Sequence, residues 1–100
     1  MAEAFYTVDD IKKSIAPIAE KYQVEKVYLF GSYARGDYNA ESDIDLRIEK
    51  GQLKGMFALC GFYTEAEEAL KKKVDVLTTA GLDEDFLQRI KKDEVLIYAR

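Results

Sequence analysis

One hundred residues carrying a formal net charge of −4, with 48% hydrophobic and 34% charged side chains, describe one folded domain over 1–100 rather than a disordered tail. A chain this long buries somewhat over about 60% of the surface its unfolded form exposes, enough for a two-layer core. Histidine is absent, which excludes serine–histidine and cysteine–histidine nucleophiles and imidazole metal sites, and the acidic balance argues against extended nucleic-acid binding.

The first periodic stretch runs from Val8 to Tyr22, where Ile11, Ile15, Ile18 and Tyr22 recur on one helical face. Thr7 is placed to cap it, Asp9 and Asp10 suit its dipole, and Pro17 is expected to kink or locally break it. Lys26 to Phe30 is too short and too rich in strand formers for a helix. It is apolar on both faces, as a covered central strand would be. Gly31 and Ser32 follow directly, and Gly36 to Ser42 has loop composition.

Asp43 to Glu49 alternates: Ile44, Leu46 and Ile48 point one way, and Asp43, Asp45, Arg47 and Glu49 the other. Period two predicts a strand with one apolar and one charged face. A helix is expected over Leu53 to Lys72, with Met56, Leu59, Cys60, Tyr63, Ala66 and Leu70 toward the core, weakened by Gly55 and Gly61. Val74 to Thr78 reads as a strand, Leu82 to Lys92 as a helix with Phe86, Leu87 and Ile90 on its apolar side, and Val95 to Tyr98 as a closing strand. This order predicts an α+β fold with a mixed sheet backed by helices.

The single Cys60 allows no internal disulfide, and its apolar neighbours predict a small core residue. No run of residues is apolar long enough to span a membrane, and Met1 to Phe5 lacks a leader pattern. These signals together predict a cytoplasmic protein.

Chemistry concentrates between Gly31 and Leu46. Gly31 lets the backbone turn sharply and an anion approach the main chain, and Ser32 offers a hydroxyl and an N–H to a phosphate. Asp43 and Asp45, about 6.5–7 Å apart along one strand face, can converge on a hard cation. Asp75, between Val74 and Val76, is the obvious third ligand. A carboxylate there is costly unless it is paired or faces a site.

Gly31-Ser32, ten residues, then Asp43-Ile44-Asp45 resembles the signature of the DNA polymerase β-like nucleotidyltransferases. The run GSYARGDYNAESDIDL, with Val74-Asp75-Val76 as the later strand, is similar to the minimal nucleotidyltransferases, the MNT branch. The resemblance implies transfer of a nucleoside monophosphate from an NTP, taken as ATP, to a hydroxyl, with two Mg²⁺ ions at Asp43, Asp45 and Asp75. It also implies that Gly31 and Ser32 grip the triphosphate. Minimal members are commonly antitoxins paired with a HEPN toxin, and some transfer AMP to a toxin tyrosine; others of the superfamily use small-molecule hydroxyls.

Arg47 stands where relatives more often carry an apolar residue, and a phosphate, Asp75 and Glu49 are its candidate partners. A single domain leaves no room for an acceptor-binding domain, so a partner chain or a second copy in a homodimer is expected to supply that surface. Tyr33, Tyr38, Tyr63 and Tyr98 are the candidate contact aromatics. Lys71, Lys72 and Lys73 are expected to end a helix favourably.

Overall fold

The computed structural model describes residues 6–39 and 41–100. The first five residues, read above for a leader pattern, and Ala40 of the expected loop lie outside that range. Along the chain come α1 (Val8–Lys21), β1 (Lys26–Phe30), the short α2 (Ser32–Arg35), β2 (Ile44–Glu49), α3 (Gly55–Leu70) and β3 (Val74–Thr78). A 3₁₀ turn (Thr79–Gly81), α4 (Glu84–Lys91) and β4 (Val95–Ala99) complete it.

The strands form one sheet in the order β3-β2-β1-β4. β1 is antiparallel to both β2 and β4, and β2 is parallel to β3. Parallel neighbours need a long crossover, and α3 supplies it. The sheet is therefore mixed, as expected.

α1 begins where expected. Thr7 Oγ1 accepts from the Asp10 N–H at 3.0 Å while the Asp10 carboxylate accepts from the Thr7 N–H at 3.0 Å, a reciprocal capping box. The helix continues through Pro17. The proline removes one N–H from the helical ladder, but Lys13 and Pro17 both lie on the exposed face, where losing that bond costs less than it would in the core.

Ile11, Ile15 and Ile18 of α1 meet Phe62, Ala66 and Leu70 of α3 over the sheet residues Val27, Leu29, Ile44, Leu46, Ile48, Val74 and Ile97, all buried. Strand alternation therefore delivers one set of side chains to this core. The other set, including Tyr28, Phe30, Asp45, Arg47 and Asp75, goes to the opposite face. There Phe86 of α4 meets Phe30 edge-on, with ring centroids 6.4 Å apart.

α3 is shorter and rotated relative to expectation. Its buried residues are Phe62, Ala66 and Leu70, whereas Met56 is 71% and Phe57 96% exposed and Cys60 is exposed. The first half of this helix is apolar all round, so two stripes compete. The ring of Phe62, edge-on to Tyr22 at 6.2 Å, wins the core and carries Cys60 outward. The helix also stops at Leu70, with Lys71 in the left-handed region (φ 52°). The lysine run lies beyond the helix instead of ending it.

The two phenylalanines give a clean contrast. Phe62→Ala is expected to lower unfolding free energy by about 3–5 kcal/mol in a urea titration, and Phe57→Ser to change it by no more than about 0.5 kcal/mol.

Candidate active site

The site is assembled where β1 ends. Gly31 adopts φ +76°, in a region that side chains strongly disfavour, and its carbonyl accepts from the N–H groups of Ala34 (3.1 Å) and Arg35 (3.0 Å). That starts the single turn of α2, and Gly36 at φ +88° closes it with its N–H on the Ser32 carbonyl at 2.8 Å. A Cβ on Gly31 would overlap the Asp45 carboxylate. Gly31 is thus required twice, by conformation and by space, and its backbone forms a cradle directly against Asp45.

Sheet register does the rest. Asp45 faces Phe30, the residue before the cradle, on one side and Asp75 on the other. Burial first, then repulsion from Asp75, a hydrogen bond to Asp75 and repulsion from Asp43 push the Asp45 carboxyl up to about 6, against the opposing pull of Arg35. A partly buried carboxyl set against a second carboxylate forms a place where a cation would be well received.

Asp43 lies just ahead of β2 rather than within it. Its side chain is 38% exposed, and Lys73 Nζ stands 4.0 Å from its Oδ2. Sequence spacing thus places Asp45 and Asp75 together, with Asp43 at their margin. Among the described residues no three His, Cys, Asp or Glu side chains already converge as a cage for a metal ion. An all-oxygen, carboxylate-only donor set beside an open glycine cradle nevertheless suits Mg²⁺, which takes one or two carboxylates and completes its shell with phosphate oxygens and water.

Arg47 and Tyr33 complete the comparison. Arg47, on the charged face of β2, is 2% exposed. Its guanidinium forks onto Glu94, Nη2 to Oε1 at 2.6 Å and Nε to Oε2 at 3.0 Å, and donates to Thr79 Oγ1 at 2.7 Å. Glu49, one of the three partners weighed from the sequence, also forms an ion pair with it, Nη1 to Oε2 at 3.7 Å. Tyr33 is buried and stacked on Tyr38, rings 4.4 Å apart, so it is a core residue and not a contact aromatic.

Sequence reasoning passed over Arg35 and Glu94. Arg35 had a signal, since it lies inside the glycine-bounded turn. Glu94 had none, because its pairing with Arg47 spans 47 residues.

Two outcomes follow from this geometry. The folded-state value of about 6 for Asp45 lies above its ordinary 3.8, so the folded chain binds the extra proton. The stability this confers is complete below about pH 4 and is lost as pH rises through about 6. Without divalent cations, Asp45→Asn is expected to remove that loss and to exceed the wild type in urea midpoint at pH 7. A wild-type midpoint that is flat between pH 4 and 7 would contradict the coupling. Gly31→Ala is expected to destabilise by more than about 1 kcal/mol in the same titration, since alanine meets both a positive φ and the Asp45 oxygens.

The chain matches the family profile described as polymerase beta, nucleotidyltransferase over residues 13–100. A Methanocaldococcus jannaschii protein assigned as a protein adenylyltransferase is 44% identical over 71 residues, covering 71% of this chain and 76% of the relative. Among solved structures, a toxin–antitoxin complex with AMP-PNP superposes with a TM-score of 0.76 at 20% identity, over 89% of this chain and 73% of that one. A tri-AMPylated Shewanella oneidensis HEPN toxin in complex with its MNT antitoxin matches at 0.71 and 17% identity, over 94% and 74%. At those identities the structural likenesses speak for the fold, whereas the match across residues 13–100 speaks for descent: the chain belongs to the polymerase β-type nucleotidyltransferase family.

Proposed function

We propose that this nucleotidyltransferase transfers AMP from ATP to a tyrosine hydroxyl of a HEPN-type partner toxin, and so serves as the antitoxin of a two-gene pair. The observation that carries the reading is the packing of Gly31 against Asp45, with Asp75 in register on the neighbouring strand. Support for the nucleotide and the partner comes from the toxin–antitoxin complex holding AMP-PNP and from the AMPylated HEPN toxin bound to its MNT antitoxin.

In this reading Gly31 admits the triphosphate close to the main chain, and Ser32 holds it through its hydroxyl and N–H. Asp43, Asp45 and Asp75 would hold two Mg²⁺ ions. Bound Mg²⁺ supplies positive charge against the triphosphate and against the oxygen anions that develop during transfer. The acceptor oxygen forms a bond to the α-phosphorus as the bond to the bridging β-phosphate oxygen breaks. Pyrophosphate leaves, and Asp75 takes the acceptor's proton. Positioning and charge do most of the work in such a transfer.

The direct experiment incubates α-labelled ATP and Mg²⁺ with the product of the neighbouring gene. Wild type, Asp43→Asn, Asp45→Asn and Asp75→Asn run side by side. Label is expected on the partner with wild type and to fall about a hundredfold or more in each variant. Full neutralisation of the partner by all three variants, with no label in any lane, would replace transfer with simple occlusion. Label confined to small molecules would move the acceptor to a small-molecule hydroxyl.

A further inference from the structure

Arg47 is a buried cation on the same sheet face as Asp45 and Asp75, two residues along β2 from Asp45. Its contacts reach three separate segments. The fork onto Glu94 ties β2 to the turn between α4 and β4, and the bond to Thr79 ties it to the turn that ends β3. Thr79 Oγ1 in turn donates to the Ile48 carbonyl of β2 at 3.2 Å. Tyr28 of β1 covers the guanidinium, its ring centroid 4.1 Å from Cζ.

β3, which carries Asp75, lies at the edge of the sheet with β2 as its strand neighbour. Its first residue is pinned by the Val74 N–H to Glu67 of α3 at 3.1 Å. Its far end is pinned by Thr79 through Arg47. Between those two anchors Asp75 is pressed toward a second carboxylate that repels it, which is the load an edge strand resists poorly.

We infer that Arg47, fixed by Glu94, is a positioning residue that holds the edge strand β3 so that Asp75 keeps its place opposite Asp45. This rests on the nucleotidyl-transfer reading of that pair and adds to it residues outside the glycine–aspartate run. Only arginine fits the task, because its planar fork takes a carboxylate with two N–H groups and still offers a third to Thr79, whereas lysine is a single point of charge.

A buried ion pair need not stabilise a fold, and an apolar pair often replaces one at no cost in stability. The informative variant is therefore Arg47→Met combined with Glu94→Leu. It is expected to melt within a few degrees of wild type, or above it, yet to transfer AMP with kcat lower by about tenfold or more and KM for ATP within about twofold. Amide hydrogen exchange, read without metal or nucleotide, is expected to speed up in β3 while β1 stays protected.

Arg47→Lys is expected to regain melting temperature over Arg47→Met without regaining kcat. Thr79→Val, which cuts one strut, is expected to move kcat and β3 exchange in the same direction should the double variant fold poorly. Wild-type kcat and unchanged β3 exchange in a stable double variant would overturn the inference, and so would a lysine that restores kcat. If the wild type itself transfers no AMP, the transfer reading fails by that result. Exchange then decides alone: unchanged β3 protection in the double variant overturns the positioning role, and selective loss of it upholds the clamp.

Discussion

Two carboxylates face each other across neighbouring parallel strands, and the rest of the molecule is arranged around that unfavourable contact. Asp45 and Asp75 are brought together by register, and burial with mutual repulsion raises the Asp45 carboxyl to about 6. The cost is carried by the other face of the same strands. There Ile44, Leu46, Ile48 and Val74 are fully buried against α1 and α3. At roughly 1.5–3 kcal/mol for each large apolar side chain taken out of water, that packing outweighs the strain of one carboxylate pair. The juxtaposition favours positive charge nearby, which suits the proposed reading of a site for a triphosphate and its counter-ion.

Much of this was legible in the sequence because it is local. Period two in Asp43–Glu49, the Thr7 cap and the glycine after a buried strand each speak within a few residues. The four strands and three longer helices fall where those signals put them. What was not legible depends on distance or on competition. In α3 an all-round apolar first half permits two core stripes, and the choice of Phe62 over Cys60 is made by α1 and the sheet, not by α3 itself. The partner of Arg47 stayed open among a phosphate, Asp75 and Glu49, because strand alternation cannot report that the distant Glu94 meets it. Tyr33 read as a contact aromatic because it flanks the site loop, although it is buried with its ring stacked on Tyr38.

The candidate site divides along the same line. Gly31, Ser32, Asp43, Asp45 and Asp75 were all nameable from residue type and spacing, and Gly31, Asp45 and Asp75 meet in space as that reasoning requires. Asp43 keeps to the margin, beside Lys73. In the proposed reading an incomplete donor set is no obstacle, since Mg²⁺ takes one or two carboxylates and completes its shell with phosphate oxygens and water.

The alternation in β2 also governs how this chain can vary. Helix-side and site-side residues are interleaved one by one, so neighbouring codons in this strand answer to different demands, packing for one and charge for the next. Within Ile44–Glu49 an inserted or deleted residue would send the isoleucines toward the site and the charges into the core, because a shift of one place exchanges the two faces. The residues just ahead of the strand follow no such two-residue alternation. Insertion is thus closed inside the strand, because Asp45 keeps Phe30 and Asp75 as its neighbours only while that register holds.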